Sequence, residues 1–260
     1  MTVTIKSENI NYPKIGEGVF LIRDVSEILQ LPYSKVRHWL IDFWEGRFSK
    51  DYRYALGSKE NRSINFYTLI EFYTFYQLRS KGLSSQKVQK YHHQLSKDLK
   101  TYYPFARTIF TDGRSLWYEA LGELIKADGK LQIDLKDILE SFLHKIEFDS
   151  DGLAKRYFPL NNSKNIVIDP KHQFGSPTIT GTNIKTLIIN DFYKSGESVE
   201  NICNLYNITE IQVLDAIQYY NRAAHPYLID KGGTEDDDWV VFAGKKDAII
   251  MTFDKDFNIR

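Results

Sequence analysis

The stretch "DAIIMTFDKDF", Asp247 to Phe257, is an apolar run that ends at two aspartates two residues apart, Asp254 and Asp256. Hard divalent cations want several carboxylate oxygens, and a bound metal can generate hydroxide to attack a phosphodiester. A strand that delivers two carboxylates to one spot therefore raises metal-dependent nuclease chemistry. Other chemistries find few residues. The six histidines form no His-Glu-x-x-His arrangement, and the adjacent His92 and His93 are poorly spaced for one metal on a helix. No phosphate-cradling glycine loop precedes a Lys-Ser or Lys-Thr pair, and "GEGVF" at Gly16 is too short to count. The single Cys203 has no disulfide partner in the chain and falls with Val199, Ile202 and Tyr206 on one helix face, which is the pattern of core packing. The chain is expected not to be a conventional enzyme and to need no cofactor or metal.

The charge distribution points to partners instead. Residues 1–100 hold 16 Lys or Arg against 10 Asp or Glu, whereas residues 226–260 hold 5 against 8. A basic front and an acidic back suit two different partners. No window approaches eighteen uncharged apolar residues, and "MTVTIKSENI" lacks the form of a secretory signal, so a cytoplasmic protein without a membrane partner is expected.

The basic front contains "LIRDVSEILQLPYSKVRHWL", Leu21 to Leu40. Val25, Ile28 and Leu29 share one face of a short helix, and Val36, Trp39, Leu40 and Phe43 share one face of a second. Pro32 disfavours helical geometry at Leu31, and Ser34 is placed to cap the next helix. The pattern is that of a helix-turn-helix, or of two packed helices with a solvated basic face. As a helix-turn-helix it would offer Arg23, Tyr33, Ser34, Lys35, Arg37 and His38 to a major groove. "FSKDYRYALGSKENRSINFYTL" then reads as a β-hairpin, a wing whose Lys59 and Arg62 would lie on phosphates, followed by an aromatic helix that stops at Gly82.

From Leu21 to Leu95 the chain resembles the winged helix-turn-helix of MerR-like regulators. Arg62, Phe66, Tyr67, Leu78, Arg79, Gly82 and Leu83 stand where that pattern has them, and the wing is longer than in most members. The sensor cysteines of metal-responsive members have no counterpart here. In the middle segment, "RTIFTDGRSLWYEA" reads as two strands around Asp112-Gly113, and "DLKDILESFLHKIEF" as an amphipathic helix. Tyr102, Tyr103, Trp117, Phe142 and Phe148 are expected in the core.

From Asn165 to Tyr220, Gly175 and Gly181 bracket a short β-arm, "SPTIT", and three helices follow. The first starts near Ile184 and ends at Gly196. Ser198 caps the second, and Thr209 with Gln212 makes a capping box that opens the third. The last two form a second helix-turn-helix with little basic charge. This stretch resembles the domain of unknown function 433, through Asp169, Pro170, Gly175, Pro177, Gly181, Thr182, Gly196, Ser198 and Tyr206.

Together these parts resemble the VapB-like antitoxins of bacterial toxin–antitoxin operons. The resemblance implies a homodimeric DNA-binding repressor that binds operator DNA and neutralises a PIN-like ribonuclease toxin. The tail resembles pieces of that toxin, with Asp230, Asp236, Asp254 and Asp256 at its carboxylate positions. About thirty residues do not complete a parallel sheet, because each crossover alone takes a dozen residues or more. Three readings of the tail stay open: a segment that packs on the dimer or the toxin, a remnant of a fused toxin gene, or a nuclease assembled from two chains. Under the first, Asp236, Asp237, Asp238, Trp239, Phe253 and Phe257 are the toxin-binding candidates. A stand-alone transcription regulator without a toxin is the alternative for the whole chain.

The expected fold class is mainly α (α+β), a winged helix-turn-helix domain plus a second small homeodomain-like three-helix domain. The segments would be 1–100 for DNA binding, 101–162 for connection or dimerisation, 163–225 for the three-helix domain and 226–260 for the acidic tail.

Overall fold

A computed structural model of the 260-residue chain describes residues 12–48, 52–57, 62–107, 110–111, 114–115 and 143–222. It is mainly helical with short antiparallel strand pairs, as the sequence predicts. Strand β1 (Phe20–Leu21) leads into α1 (Ile22–Leu29), and α2 (Tyr33–His38) runs on through a wider π-helical stretch, Trp39–Phe48. After β2 (Ser63–Ile64) come α3 (Phe66–Ser80) and α4 (Ser85–Asp98). Strands β3 (Phe110–Thr111) and β4 (Arg114–Ser115) pair antiparallel, and β5 (Ile146–Phe148) pairs with β6 (Ala154–Tyr157). The last part holds β7 (Ile166–Val167), β8 (Thr178–Ile179), α5 (Thr186–Lys194), α6 (Val199–Tyr206) and α7 (Glu210–Asn221).

Helix α3 is the axis of the first core. Residues Phe66, Leu69, Ile70, Phe72, Phe75 and Leu78 are all buried, so other elements, α4 and β6 among them, cover it on nearly every side. Its start is fixed by Asn65, whose Oδ1 accepts from the Thr68 amide at 2.9 Å. The π-helical stretch lays Trp39 edge-on against Phe72 and Phe75, and stacks Trp44 on Phe48 with centroids 4.6 Å apart. Each such ring stabilises the fold by roughly 1.5–3 kcal/mol through removal of apolar surface from water. Glu71 is fully buried in the same core. Its Oε1 accepts from the amides of Phe105 (2.7 Å) and Ala106 (3.1 Å), and its Oε2 lies 2.9 Å from Nε2 of buried His92 on α4. Burial raises the Glu71 pKa, and the nearby imidazole and the two amides oppose that rise.

The middle segment joins this core. Ala154 donates to the Ala106 carbonyl at 2.8 Å, Tyr157 and Ile168 exchange backbone hydrogen bonds, and Ile146, Ala154, Tyr157 and Ile168 are buried with the α3 residues. Tyr103 and Phe148 pack against the core as expected. Tyr102 does not: it is half exposed, and its ring stacks on that of Tyr52 at 4.0 Å. Trp117, Phe142 and the helix expected over most of 134–145 lie outside the described residues.

A second core is built from Leu160, Ile166, Ile179, Ile189, Ile202, Val213, Ala216 and Tyr219. The predicted signals are in place. Gly196 has φ +99 just after α5, Ser198 Oγ accepts from the Asn201 amide at 3.1 Å, and Thr209 and Gln212 form the reciprocal capping box of α7. Val199, Cys203 and Tyr206 pack against this core. Gly175 joins the two cores. With φ +87, it brings its backbone so close to Phe20 that an added Cβ would lie 2.3 Å from that ring. Next to it, the Val19 amide donates to the Phe174 carbonyl at 3.1 Å.

Candidate nucleic-acid interface

Helices α1 and α2 are the pair that the sequence reads as the first helix-turn-helix. Asp24 Oδ2 accepts from the Leu21 amide at 2.8 Å and so holds the start of α1. The helix closes at Gln30, which takes left-handed geometry (φ 55), and the Leu31 amide returns to the Ser26 carbonyl at 2.9 Å. Pro32 then stands at the start of α2, and its carbonyl accepts from the amides of Lys35 and Val36. The apolar faces do what their spacing predicts: Val25, Ile28, Leu29, Leu31, Val36, Trp39, Leu40 and Phe43 are buried. Ser34 is not the cap. It lies inside the helix with its side chain outward, because the proline already occupies the cap position.

The outward face carries Arg23 on α1 and Tyr33, Ser34 and Arg37 on α2, all exposed. Lys35 is half-buried, with Nζ 5.2 Å from the centroid of the Trp39 ring. His38 is engaged by its own helix, with Nδ1 2.6 Å from Asp42 Oδ2. Tyr33 and Arg37 therefore stand as the most open pair on α2.

The segment after α2 differs in part from the wing reading. Tyr52–Tyr54 is not a strand. Glu45 takes its place as a partner, because Oε1 accepts from the amides of Tyr54 (2.6 Å) and Ala55 (2.8 Å). Further on, Leu56 and Ser63 exchange both backbone hydrogen bonds, and Ser63–Ile64 pairs antiparallel with Phe20–Leu21. These pairings brace the base of a loop whose residues 58–61, including Lys59, lie outside the described residues. Arg62 is half-buried at the foot of that loop, and its Nε is enclosed with no acceptor among the described residues.

The second helix-turn-helix, α6 and α7, has the same local design and a different surface. Asn207 takes left-handed geometry (φ 51), as Gln30 does in the first. From Val199 to Asn221 the sequence holds Glu200, Glu210 and Asp215 and no Lys or Arg. Leu205, Ile211 and Leu214 are 63%, 65% and 47% exposed. Sequence reading missed this apolar face, although Ile211 and Leu214 at i and i+3 signal a stripe opposite the one formed by Val213, Ala216 and Ile217.

The carboxylates of the tail, Asp230, Asp236, Asp254 and Asp256, and the candidates Asp237, Asp238, Trp239, Phe253 and Phe257 lie outside the described residues. Among the described residues, no group of three or more His, Cys, Asp or Glu is placed to hold a metal, and no helix is long and apolar enough to cross a membrane.

Comparison with known proteins bears on both parts. Residues 166–220 match the family described as "Protein of unknown function (DUF433)". The Mycobacterium tuberculosis (strain ATCC 25618 / H37Rv) protein named "Putative antitoxin VapB45" is 25% identical over 169 residues, covering 59% of this chain and 70% of that protein. The crystal structure of Rv2018 from Mycobacterium tuberculosis has the same fold: it matches with a TM-score of 0.62 at 19% identity, over 80% of this chain and 100% of the other.

Proposed function

We propose that this protein is the antitoxin of a bacterial toxin–antitoxin pair, a homodimer that binds operator DNA through α1 and α2 and neutralises a PIN-like ribonuclease. The similarity to a protein named as an antitoxin, spanning most of that protein's length, is the observation that carries the reading. The first helix-turn-helix supports its DNA half. Arg37 is exposed on α2, where an arginine would reach a base edge, Tyr33 and Arg23 are exposed on the same helix pair, and the strand pairing of β1 with β2 holds the neighbouring loop. The second helix-turn-helix supports the partner half, because an apolar and acidic surface suits a protein better than a polyanion.

The test is co-purification with the product of the neighbouring gene, with and without residues 226–260, followed by an RNA-cleavage assay of each fraction and a gel shift on the protein's own promoter. Capture of a ribonuclease that is silent in the complex supports the reading. If no partner is captured and the promoter still shifts, a stand-alone regulator remains. One observation favours that second reading: a cleft of about 540 Å³ lies between α1 and the second core, lined by Phe20, Asp24, Glu27, Asn190 and Tyr219. The buried Tyr219 hydroxyl has no hydrogen-bond partner among the described residues. Burial and the neighbouring Asp24 raise the Glu27 pKa there. A ligand in this cleft that changes the gel shift would identify a sensor.

A further inference from the structure

A second cleft, of about 480 Å³, lies where the end of α1, the β5–β6 hairpin and α7 meet. Lys145, just before β5, and Arg222, just after α7, converge on it. Lys145 Nζ donates to the Pro159 carbonyl at 3.1 Å. The Arg222 guanidinium donates to the carbonyls of Tyr219 (2.7 Å), Glu27 (3.3 Å) and Ile28 (3.4 Å), and lies 4.0 Å from the centroid of the Tyr219 ring. Neither cation has a carboxylate within ion-pair distance among the described residues. Asp215, which also lines the cleft, is turned toward the Ser163 hydroxyl and the Asn165 amide.

Two like charges held together and partly withdrawn from water are costly unless something of opposite sign joins them. Burial, with Arg222 close by, pushes Lys145 down to about 8. Apart from Asp215, the polar lining is uncharged and includes the carboxamides of Gln30, Asn161, Asn162 and Gln218. Such a set, two cations with carboxamides around them in a half-open cleft, is suited to an anion with several acceptor oxygens.

The geometry points to a binding site for a small oxyanion, the phosphate or carboxylate group of a soluble molecule, held between Lys145 and Arg222. Glu27 acts on Arg222 from beyond ion-pair distance, and an anion between the two cations would add the opposite charge that Lys145 lacks. The same chemistry could come from the carboxylates of Glu235 to Asp238 in this chain, and the test separates the two sources.

The full chain is titrated with inorganic phosphate by calorimetry at pH 7 and constant ionic strength. Saturable binding that Lys145→Gln weakens by about tenfold or more is expected. If the chain's own carboxylates fill the cleft, binding registers only after Asp236, Asp237 and Asp238 are changed to Asn, which keeps the site and reassigns its occupant. A second measurement does not depend on a variant's folding. Near pH 8 an acetylating reagent attacks the neutral fraction of Lys145, and phosphate should slow labelling at Lys145 while leaving exposed Lys97 unchanged. The titratable and charged groups that line the cleft beside Lys145 are Arg222, Asp215, Tyr73, Tyr76 and Tyr157. Equal phosphate affinity in parent and Lys145→Gln, no binding in either the parent or the Asn variant, or labelling at Lys145 that phosphate does not slow would each overturn the site.

Discussion

The two helix-turn-helix pairs share a backbone plan and differ in what they show to a partner. Each turns on a left-handed residue, Gln30 or Asn207, and each buries an apolar stripe from both helices. Beyond that they diverge. Helix α2 has Lys35 and Arg37 and no acid, whereas α7 has Glu210 and Asp215 and no base. The open face of α2 presents Tyr33 and Arg37, and that of α7 presents Ile211 and Leu214. The backbone motif alone therefore carries no information about the ligand. Surface chemistry does, since a polyanion needs cations and a protein partner accepts an apolar patch.

The cores beneath them differ too, and this gives the largest expected effect. The first core holds the buried Glu71–His92 pair, while the buried polar side chains of the second part, Thr178, Thr186 and Asn190, are uncharged. Glu71→Ala strips the acceptor from His92 and from the amides of Phe105 and Ala106 at once. Removing one member of a buried pair costs about 3–5 kcal/mol. Calorimetric melting should show a large loss of stability, with a much smaller loss for Glu71→Gln, which keeps an acceptor oxygen for the two amides. Equal losses for the two substitutions would mean that packing and not the polar network matters at this position.

The surface contrast gives the next. On the proposed DNA reading, Arg37→Ala should weaken binding to the operator by about 1–3 kcal/mol and blur sequence preference at one base position, as the loss of one bidentate base contact does. Leu214→Gln should leave the gel shift unchanged and weaken capture of the protein partner. Footprinting that is unaltered by Arg37→Ala, or abolished by Leu214→Gln, would exchange the roles assigned to the two pairs.

Gly175 tests how the two halves are joined. Gly175→Ala places a Cβ against Phe20 and forces a side chain on a residue at φ +87. A cost of about 1–3 kcal/mol is expected from the backbone strain. Gly181→Ala is the control, because its φ is +79 but an added Cβ there meets nothing within 4 Å. The difference between the two melting temperatures isolates the contact with Phe20 from the strain they share.

Much of this was legible in the chain because it is local. Apolar spacing located α1, α2 and α6, the stop at Gly196 ended α5, and the Ser198 and Thr209 caps that open α6 and α7 follow from side chains acting within three residues. What was not legible depends on long-range contact. Glu71 sits in an aromatic helix and His92 looks like one of a surface pair, and nothing local shows that they meet in the core. Glu45 replaced a strand partner for Tyr54 and Ala55 through contacts across a loop, so alternating aromatics in "YRY" misled. Lys145 and Arg222 meet only because the hairpin and α7 dock on the same end of α1. At the candidate interface, sequence identified the outward residues of α2 but not that His38 is engaged by Asp42, one helical turn further on.

The smallest expected effect concerns how each second helix begins. In α7 the Thr209 hydroxyl accepts from the Gln212 amide while the Gln212 side chain accepts from the Thr209 amide, so two otherwise unpaired donors are satisfied. In α2 no side chain performs this task. Pro32 fills the cap position, and its missing N–H removes one donor from the requirement. Thr209→Ala should therefore cost about 1 kcal/mol in chemical denaturation, while Ser34→Ala should stay within about 0.5 kcal/mol of the parent, as surface changes away from such features do. A cost at Ser34 equal to that at Thr209 would mean that serine, not proline, opens α2. The outward face of that helix would then begin two residues later, taking Tyr33 out of the candidate DNA surface.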